Sequence, residues 1–301
     1  MSRNLKITLM YDGAEFHGWQ IQPGFPTVQG LLADCLGRIT GENVLPQGSG
    51  RTDAGVHALA QVASVRLNSP IPERNLLTAL NDILPPAIRV TGVEIVEDGF
   101  HARHSARAKT YHYRIYRDDI CPPFLARYVY HDPCPMDEEA MIRASEYVVG
   151  TFDFTSFAAS DPERSARIAG LQANRGEHQG SGAMAVSREE LDEVLARIGT
   201  QSLEIYEDTG SDALTQKLGN VRTIHSSQWA RTDEEFSFTV RGNGFLHHMV
   251  RNLVGAFLQV GKGSLKPEDI PAILEARNRS AAGATAPACG LYLVSVEYGM
   301  L

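Results

Sequence analysis

The sequence lacks the features that mark membrane, secreted and zinc-binding proteins. No apolar run approaches the roughly 18 to 20 residues that a membrane span needs, and the N-terminus has no apolar signal-peptide core. The four cysteines form no CxxC pair and have no histidine at ligand spacing, which argues against both a zinc-binding pattern and a disulfide framework. We therefore expect a soluble, cytoplasmic protein with reduced thiols.

The sequence also lacks an excess of positive charge. Its formal net charge is −8, although a protein that binds nucleic acid needs lysine and arginine for its phosphate contacts. The acidic residues are concentrated at 161–219, where eleven aspartates and glutamates stand beside six lysines and arginines. Two windows, 100–117 and 236–267, contain basic residues and no acidic ones. RNA binding outside the acidic segment is therefore compatible with the composition.

Hydrophobic periodicity predicts two similar rounds of strands and helices. The first round has strands at 6–11, 62–67 and 89–97 and helices at 28–40 and 72–83, with Thr27 as N-cap and an end near Gly41. The second has strands at 109–116 and 236–240 and helices at 136–149 and 246–260. We predict an α+β fold with two related halves, 1–105 and 106–301. The second half carries the atypical acidic insertion at about 161–219, with one short helix after Ser187.

The stretch from Gly48 to Ala58, GSGRTDAGVHA, differs from the rest of the chain. Its three glycines within eight residues allow backbone conformations with positive φ and close approach to a ligand. Arg51 and Asp53 place opposite charges two positions apart. By itself the pattern is also typical of a glycine-rich turn that precedes a strand, with an ordinary surface ion pair.

Taken with four later segments, this stretch resembles the tRNA pseudouridine synthases of the TruA family. GRTDAGVHA is similar to the catalytic motif of that family, in which the aspartate is essential. The later segments occur in the family's order and are KTYHYRI from Lys109, GTFDF from Gly150, GFLHHMVRN from Gly244 and ATAPACGL from Ala284.

The resemblance implies a fold, an activity and partners. The fold would consist of two α/β subdomains of ferredoxin-like or RRM-like type that share an extended antiparallel sheet with a central active-site cleft. The activity would be an isomerase that converts uridine to pseudouridine at positions 38–40 of the tRNA anticodon stem-loop, acting as a homodimer. No cofactor is expected, because the reaction moves one glycosidic bond without gaining or losing atoms. A pseudouridine synthase for another RNA and a catalytically idle RNA-binding protein stay open as alternatives.

The resemblance also implies roles for individual residues. Asp53 would be the catalytic nucleophile, Arg251 would form an ion pair with it across the cleft, and Arg51 would help to take the place of the everted base. Tyr111 would pack against the target base. The other substrate-binding residues would be His57, Lys109, Arg114 and His247.

Position alone leaves alternatives to these roles. Arg251 is also compatible with a solvated arginine and Arg51 with a phosphate clamp. Tyr111 and Tyr113 share one face of a strand, so one of them belongs to the core.

No metal site is predicted from the sequence. The pairs His247–His248 and His101–His104 have no acidic or thiol residue nearby at metal-ligand spacing. The run Gly261 to Ser264 lacks the glycine spacing of a phosphate loop and follows a predicted helix rather than a strand.

Overall fold

The structure, a computed structural model, describes residues 2–159 and 219–299. Within these ranges the chain forms ten β-strands and five α-helices. The strands are β1 (Arg3–Tyr11), β2 (Gln47–Gly48), β3 (His57–Leu67), β4 (Ile88–Val96), β5 (Ala106–Tyr116), β6 (Tyr130–His131), β7 (Gly150–Asp153), β8 (Val221–Arg231), β9 (Glu235–Gly242) and β10 (Leu291–Tyr298). The helices are α1 (Val28–Thr40), α2 (Glu73–Ile83), α3 (Glu138–Glu146), α4 (Met249–Gly261) and α5 (Asp269–Ala276).

The predicted α+β class with a large, mostly antiparallel sheet is confirmed. The predicted ends of α1 are also confirmed, since Thr27 caps the first turn and Gly41 ends the helix at φ 74°. The acidic insertion, apart from Gly219, and the short helix predicted within it lie outside the described residues. No helix in the described ranges combines the length and apolar character needed to cross a bilayer.

The sheet order is β4-β1-β3-β10-β5-β9-β8-β7, with β2 beside β3 and β6 beside β5. The strands of the first 105 residues therefore lie together, and those that follow residue 105 lie beyond them. The junction is a short parallel pairing of β3 with β10, in which Tyr292 lies opposite His57. The loop that precedes β3, which contains Asp53, is thereby placed at the centre of the sheet.

Aromatic packing holds α4 against the sheet. Phe236 and Phe238 alternate with polar residues along β9, so both point to the same, buried face. The Phe238 and Phe257 rings meet edge to face, with centroids 5.4 Å apart, and Trp229 stacks on Phe236 at 4.4 Å. Each buried aromatic side chain contributes about 1.5–3 kcal/mol by its removal from water, and Trp229 of β8 also contacts Phe257 at 6.2 Å, so α4 has a fixed position relative to β8 and β9.

The start of α4 differs from the prediction, which began the helix at residue 246. His248 has φ 59°, in the left-handed region, and therefore lies outside the helix. The helix begins at Met249, and residues 246–248 form a turn in front of it. This turn brings two histidines to the loop of Asp53.

Candidate active site

Buried polar side chains hold the loop of Asp53. Gln61 of β3 is fully buried, and its side-chain amide donates a hydrogen bond to the Gly50 carbonyl oxygen at 3.0 Å. Its Oε1 accepts from the Ser49 hydroxyl at 2.6 Å. Buried polar side chains whose hydrogen-bond donors and acceptors all have partners make a segment rigid. The backbone that carries Asp53 is therefore fixed.

A second segment packs on the loop from the other side. The Trp19 amide donates to the Thr52 carbonyl oxygen at 3.1 Å, and the hydroxyls of Thr52 and Tyr11 lie 2.8 Å apart. Gly18 has φ 86°, and a Cβ at this position would lie 2.4 Å from the Thr52 carbonyl oxygen. Only glycine allows this approach, so the loop conformation depends on a residue 35 positions before Asp53.

The structure brings Arg251 of α4 to Asp53. Arg251 Nη1 donates to Asp53 Oδ2 at 2.9 Å, and each side chain is 15% exposed. Arg251 Nε donates at the same time to the Ala286 carbonyl oxygen at 2.8 Å, and the Ala286 amide donates back to the Arg251 carbonyl oxygen. The guanidinium is therefore held at two points, and a charge-assisted hydrogen bond orients the carboxylate.

The turn before α4 places His247 and His248 against the same carboxylate. His247 Nε2 lies 3.5 Å from Asp53 Oδ1, and His248 Nε2 lies 3.4 Å from Oδ2. Burial lowers the pKa of His248 below its ordinary value, against the opposing effect of Asp53. The expectation that these histidines have no acidic neighbour is wrong, because the fold joins segments that are far apart in the chain.

Tyr111 of β5 is the aromatic residue beside this cluster. Its ring is buried and makes an edge-to-face contact with Phe245 at 5.0 Å between centroids. Burial raises the pKa of Tyr111, and the nearby charge of Asp53 adds to the effect. Tyr113 is fully buried and donates its hydroxyl to the Pro287 carbonyl oxygen at 2.9 Å, so both tyrosines are part of the core and Tyr113 is the more enclosed of the two.

The ion pair of Asp53 and Arg251 thus lies near Tyr111 at the centre of the sheet. Comparison with known sequences identifies relatives of this chain. A family model described as tRNA pseudouridine synthase matches residues 208–299. A relative named tRNA pseudouridine synthase A, from Solibacter usitatus, is 43% identical over 297 residues, covering 98% of this chain and 100% of the relative. The chain belongs to the tRNA pseudouridine synthase A family. A relative of the same name from Caldicellulosiruptor saccharolyticus is 36% identical, and the alignment covers 98% of this chain and 100% of the relative. Another from Bacillus licheniformis is 37% identical, and the alignment covers 98% of each chain.

The predicted substrate contact of His57 is not supported in this synthase. The His57 side chain is 2% exposed, Nδ1 accepts from the Gly13 amide at 3.0 Å, and Nε2 lies 3.2 Å from the Arg127 carbonyl oxygen. Nε2 therefore carries the proton of a neutral ring, and burial lowers the pKa of His57. His57 joins the start of β3 to two loops and has a structural role.

Arg114, a predicted substrate-binding residue, lies away from Tyr111. Side chains alternate along a strand, so Arg114 and Tyr111 lie on opposite faces of β5. Arg114 makes a bidentate ion pair with Glu235, with Nε 2.8 Å and Nη2 2.5 Å from the two carboxylate oxygens. It stabilises the pairing of β5 with β9 on the face away from Tyr111.

Lys109 and Arg51 both lie at the loop. Lys109 Nζ donates to the Ser49 carbonyl oxygen at 2.5 Å, and burial, assisted by the charges of Arg103 and Arg222, lowers the pKa of Lys109 to about 8. Arg51 is exposed, two residues before Asp53. Lys109 thus supports the loop backbone, and Arg51 is an exposed residue of the same loop.

Gln61, Thr52 and the Ala286 carbonyl group were not predicted as parts of the site. Gln61 carried a signal, because it is a polar residue in an otherwise apolar part of β3, and a buried amide needs partners. The Ala286 contact uses backbone atoms alone, so no side-chain pattern could indicate it.

Proposed function

We propose that this chain converts uridine to pseudouridine at positions 38–40 of the tRNA anticodon stem-loop. The observation that carries the proposal is the 2.9 Å ion pair that holds Asp53 beside Tyr111. Isomerisation needs one oriented carboxylate at C1′ of the ribose and a surface on which the detached base is retained. The site offers both.

The reaction breaks the bond between N1 and C1′ and forms one between C5 and C1′. Asp53 acts on C1′ as the glycosidic bond breaks. Arg251 keeps the carboxylate in place, and Tyr111 packs against the uracil ring while it turns. The C5 hydrogen leaves as a proton and N1 gains one, so the atoms balance without a cofactor. Lys109 and His247 border the site, and we assign them contacts with the RNA backbone.

Nucleoside analysis tests this function. A tRNA transcript incubated with the protein and then digested should lose uridine and gain pseudouridine in equal amounts, without a change in RNA mass. A transcript without the anticodon arm should stay unmodified. Modification of both transcripts would place the target elsewhere, and tight binding without product would favour an idle RNA-binding protein.

The Tyr111 ring is predicted to act by stacking. Tyr111→Phe should keep tRNA binding and most of the turnover, whereas Tyr111→Leu should lower kcat/KM by about 5- to 150-fold, the equivalent of 1–3 kcal/mol of stacking. Steady-state kinetics of the two variants measures the difference. Loss of turnover in the phenylalanine variant with intact binding would instead assign a chemical role to the hydroxyl.

Arg51 is predicted to take the place of the target base after it leaves the helix. Removing a paired base from its stack costs a few kcal/mol, so Arg51→Ala should lower turnover by about 10- to 100-fold on a paired target. The same target opposite a mismatch should be affected much less. Equal losses on both RNAs would indicate a phosphate clamp instead.

We also propose the finer organisation that the resemblance implies. Residues 1–105 and 106–301 would form two related α/β halves around a central cleft, and the sheet order, which keeps the strands of each half together, supports this division. The protein would act in the cytoplasm as a homodimer with tRNA spanning both subunits. Light scattering on the eluted protein should give twice the chain mass, and a monomer at micromolar concentration would contradict the dimer.

A further inference from the structure

Asp53 and the two histidines beside it offer the donor set of a transition-metal site. One ligand atom from each residue lies within 4.8 Å of the other two. His247 Nε2 lies 3.5 Å from Asp53 Oδ1 and His248 Nε2 lies 3.4 Å from Asp53 Oδ2. Neighbouring ligands of a tetrahedral zinc ion with bonds of about 2.0 Å are about 3.3 Å apart. Two histidines and one carboxylate, with a fourth position open, are a known ligand set for zinc.

We propose that Asp53, His247 and His248 bind a divalent transition metal ion such as Zn²⁺ or Co²⁺, and that the ion inhibits the enzyme by occupying Asp53. The inhibitory part rests on the proposed function, since it follows from the action of Asp53 at the ribose. A carboxylate bound to a metal ion is withdrawn from C1′. Imidazole nitrogens favour zinc, cobalt, nickel and copper, whereas Mg²⁺ prefers oxygen ligands, so Mg²⁺ should not act in this way.

The cluster is accessible from solvent. The side chains of His247 and His248 are 37% and 29% exposed, so an ion can reach them from solvent. Their rings lie side by side with centroids 4.0 Å apart, in a turn fixed by the left-handed backbone of His248. Preformed ligands lower the cost of binding.

Arg251 limits the affinity of the site. Its guanidinium holds Asp53 Oδ2, while Oδ1 faces His247. An ion that uses Oδ1 leaves the ion pair intact but is repelled by the neighbouring positive charge. Arg251→Gln is therefore expected to bind the metal more tightly than the wild type.

Cobalt absorption measures the binding directly. Untagged protein titrated with Co²⁺ should develop visible d–d bands that saturate at one equivalent and disappear when Zn²⁺ displaces the cobalt. His247→Ala and His248→Gly should weaken Co²⁺ binding on the order of 100-fold. Glycine is chosen at 248 because it adopts φ 59° without strain, and circular dichroism verifies that both variants are folded.

The pair His101–His104 provides the matched control. Its rings are also close, with centroids 4.3 Å apart, but His101 Nδ1 accepts a hydrogen bond from the Arg103 amide at 3.1 Å. Among the described residues the pair belongs to no cluster of three potential ligands. His104→Ala should therefore keep the cobalt spectrum of the wild type.

The inhibition is measured separately from the binding. Zn²⁺ in excess over the tRNA should lower pseudouridine formation by the wild type by about tenfold or more, and a chelator should restore the rate. In His247→Ala the same zinc concentration should lower the rate by a much smaller factor. No cobalt band from the wild type, or bands in both histidine variants as strong as those of the wild type, would overturn the metal site. Activity unchanged at saturating zinc would overturn the inhibition. A wild type that binds cobalt as described yet forms no pseudouridine with chelator present would contradict the proposed function and still support the metal site.

Discussion

Replacing Asp53 by asparagine is expected to abolish pseudouridine formation while tRNA binding is retained. Asparagine preserves the volume of the side chain but supplies neither a nucleophile nor a negative charge at C1′. We expect turnover to fall on the order of 10⁴-fold or more, as when a covalent nucleophile is removed. The Kd for tRNA should change by less than about threefold, because contacts with phosphate groups supply most of the affinity.

Asp98→Asn is the matched control for this variant. Asp98 is 84% exposed and lies 3.8 Å from Arg66 in a surface pair, and such pairs contribute about 0–1 kcal/mol. The control should have wild-type turnover. Thermal unfolding of both variants separates lost chemistry from lost folding. An Asp53→Asn protein with wild-type turnover would remove Asp53 from the mechanism.

Arg251→Gln is expected to lower kcat by about 10²- to 10³-fold, the size of effect found when one preorganised charge interaction is removed from an active site. The guanidinium joins Asp53 and the Ala286 carbonyl group at once, so its loss frees the carboxylate to rotate away from the sugar. Arg251→Lys keeps the charge, but one ammonium group cannot reproduce the fixed fork. We expect the lysine variant to lose about tenfold.

Arg241→Gln is the matched control, because it removes an arginine from an ion pair that does not involve Asp53. Arg241 pairs with Glu297 at 2.6 Å, but both side chains are about 40% exposed, so the pair contributes little. Single-turnover rates with saturating enzyme isolate the chemical step in all three variants. If Arg251→Gln retained wild-type single-turnover rates, the ion pair would be structural only.

Local pattern predicts four of the five helices and five of the ten strands of the described residues, whereas β2, β6, β7, β8, β10 and α5 were not predicted. The capping of α1 by Thr27 and Gly41 and the alternation of β9 are visible in the sequence because they depend on neighbours within a few residues. The start of α4 is less predictable. Residues 246–248 continue the apolar spacing of the helix, but the left-handed backbone of His248 excludes them from it.

The site is less predictable than the fold because its contacts join distant segments. Loop and helix motifs indicate Asp53 and Arg251 separately, but no spacing shows that His248 lies 3.4 Å from the same carboxylate. The placement of Arg114 away from Tyr111 does follow from strand alternation, since the two positions differ by an odd number of residues. His57 stands four residues from Asp53, and only the fold shows that its ring is enclosed.

Tritium release from tRNA labelled at C5 of uridine tests the account most directly, with wild-type protein beside Asp53→Asn and a chelator in both reactions. Formation of the bond between C5 and C1′ must expel the C5 hydrogen, whereas binding does not. The wild type is expected to release tritium in an amount equal to the pseudouridine formed, and the variant to release none. Equal release by both proteins, or none from a wild type that binds the tRNA, would contradict the proposed reaction and the role of Asp53 in it.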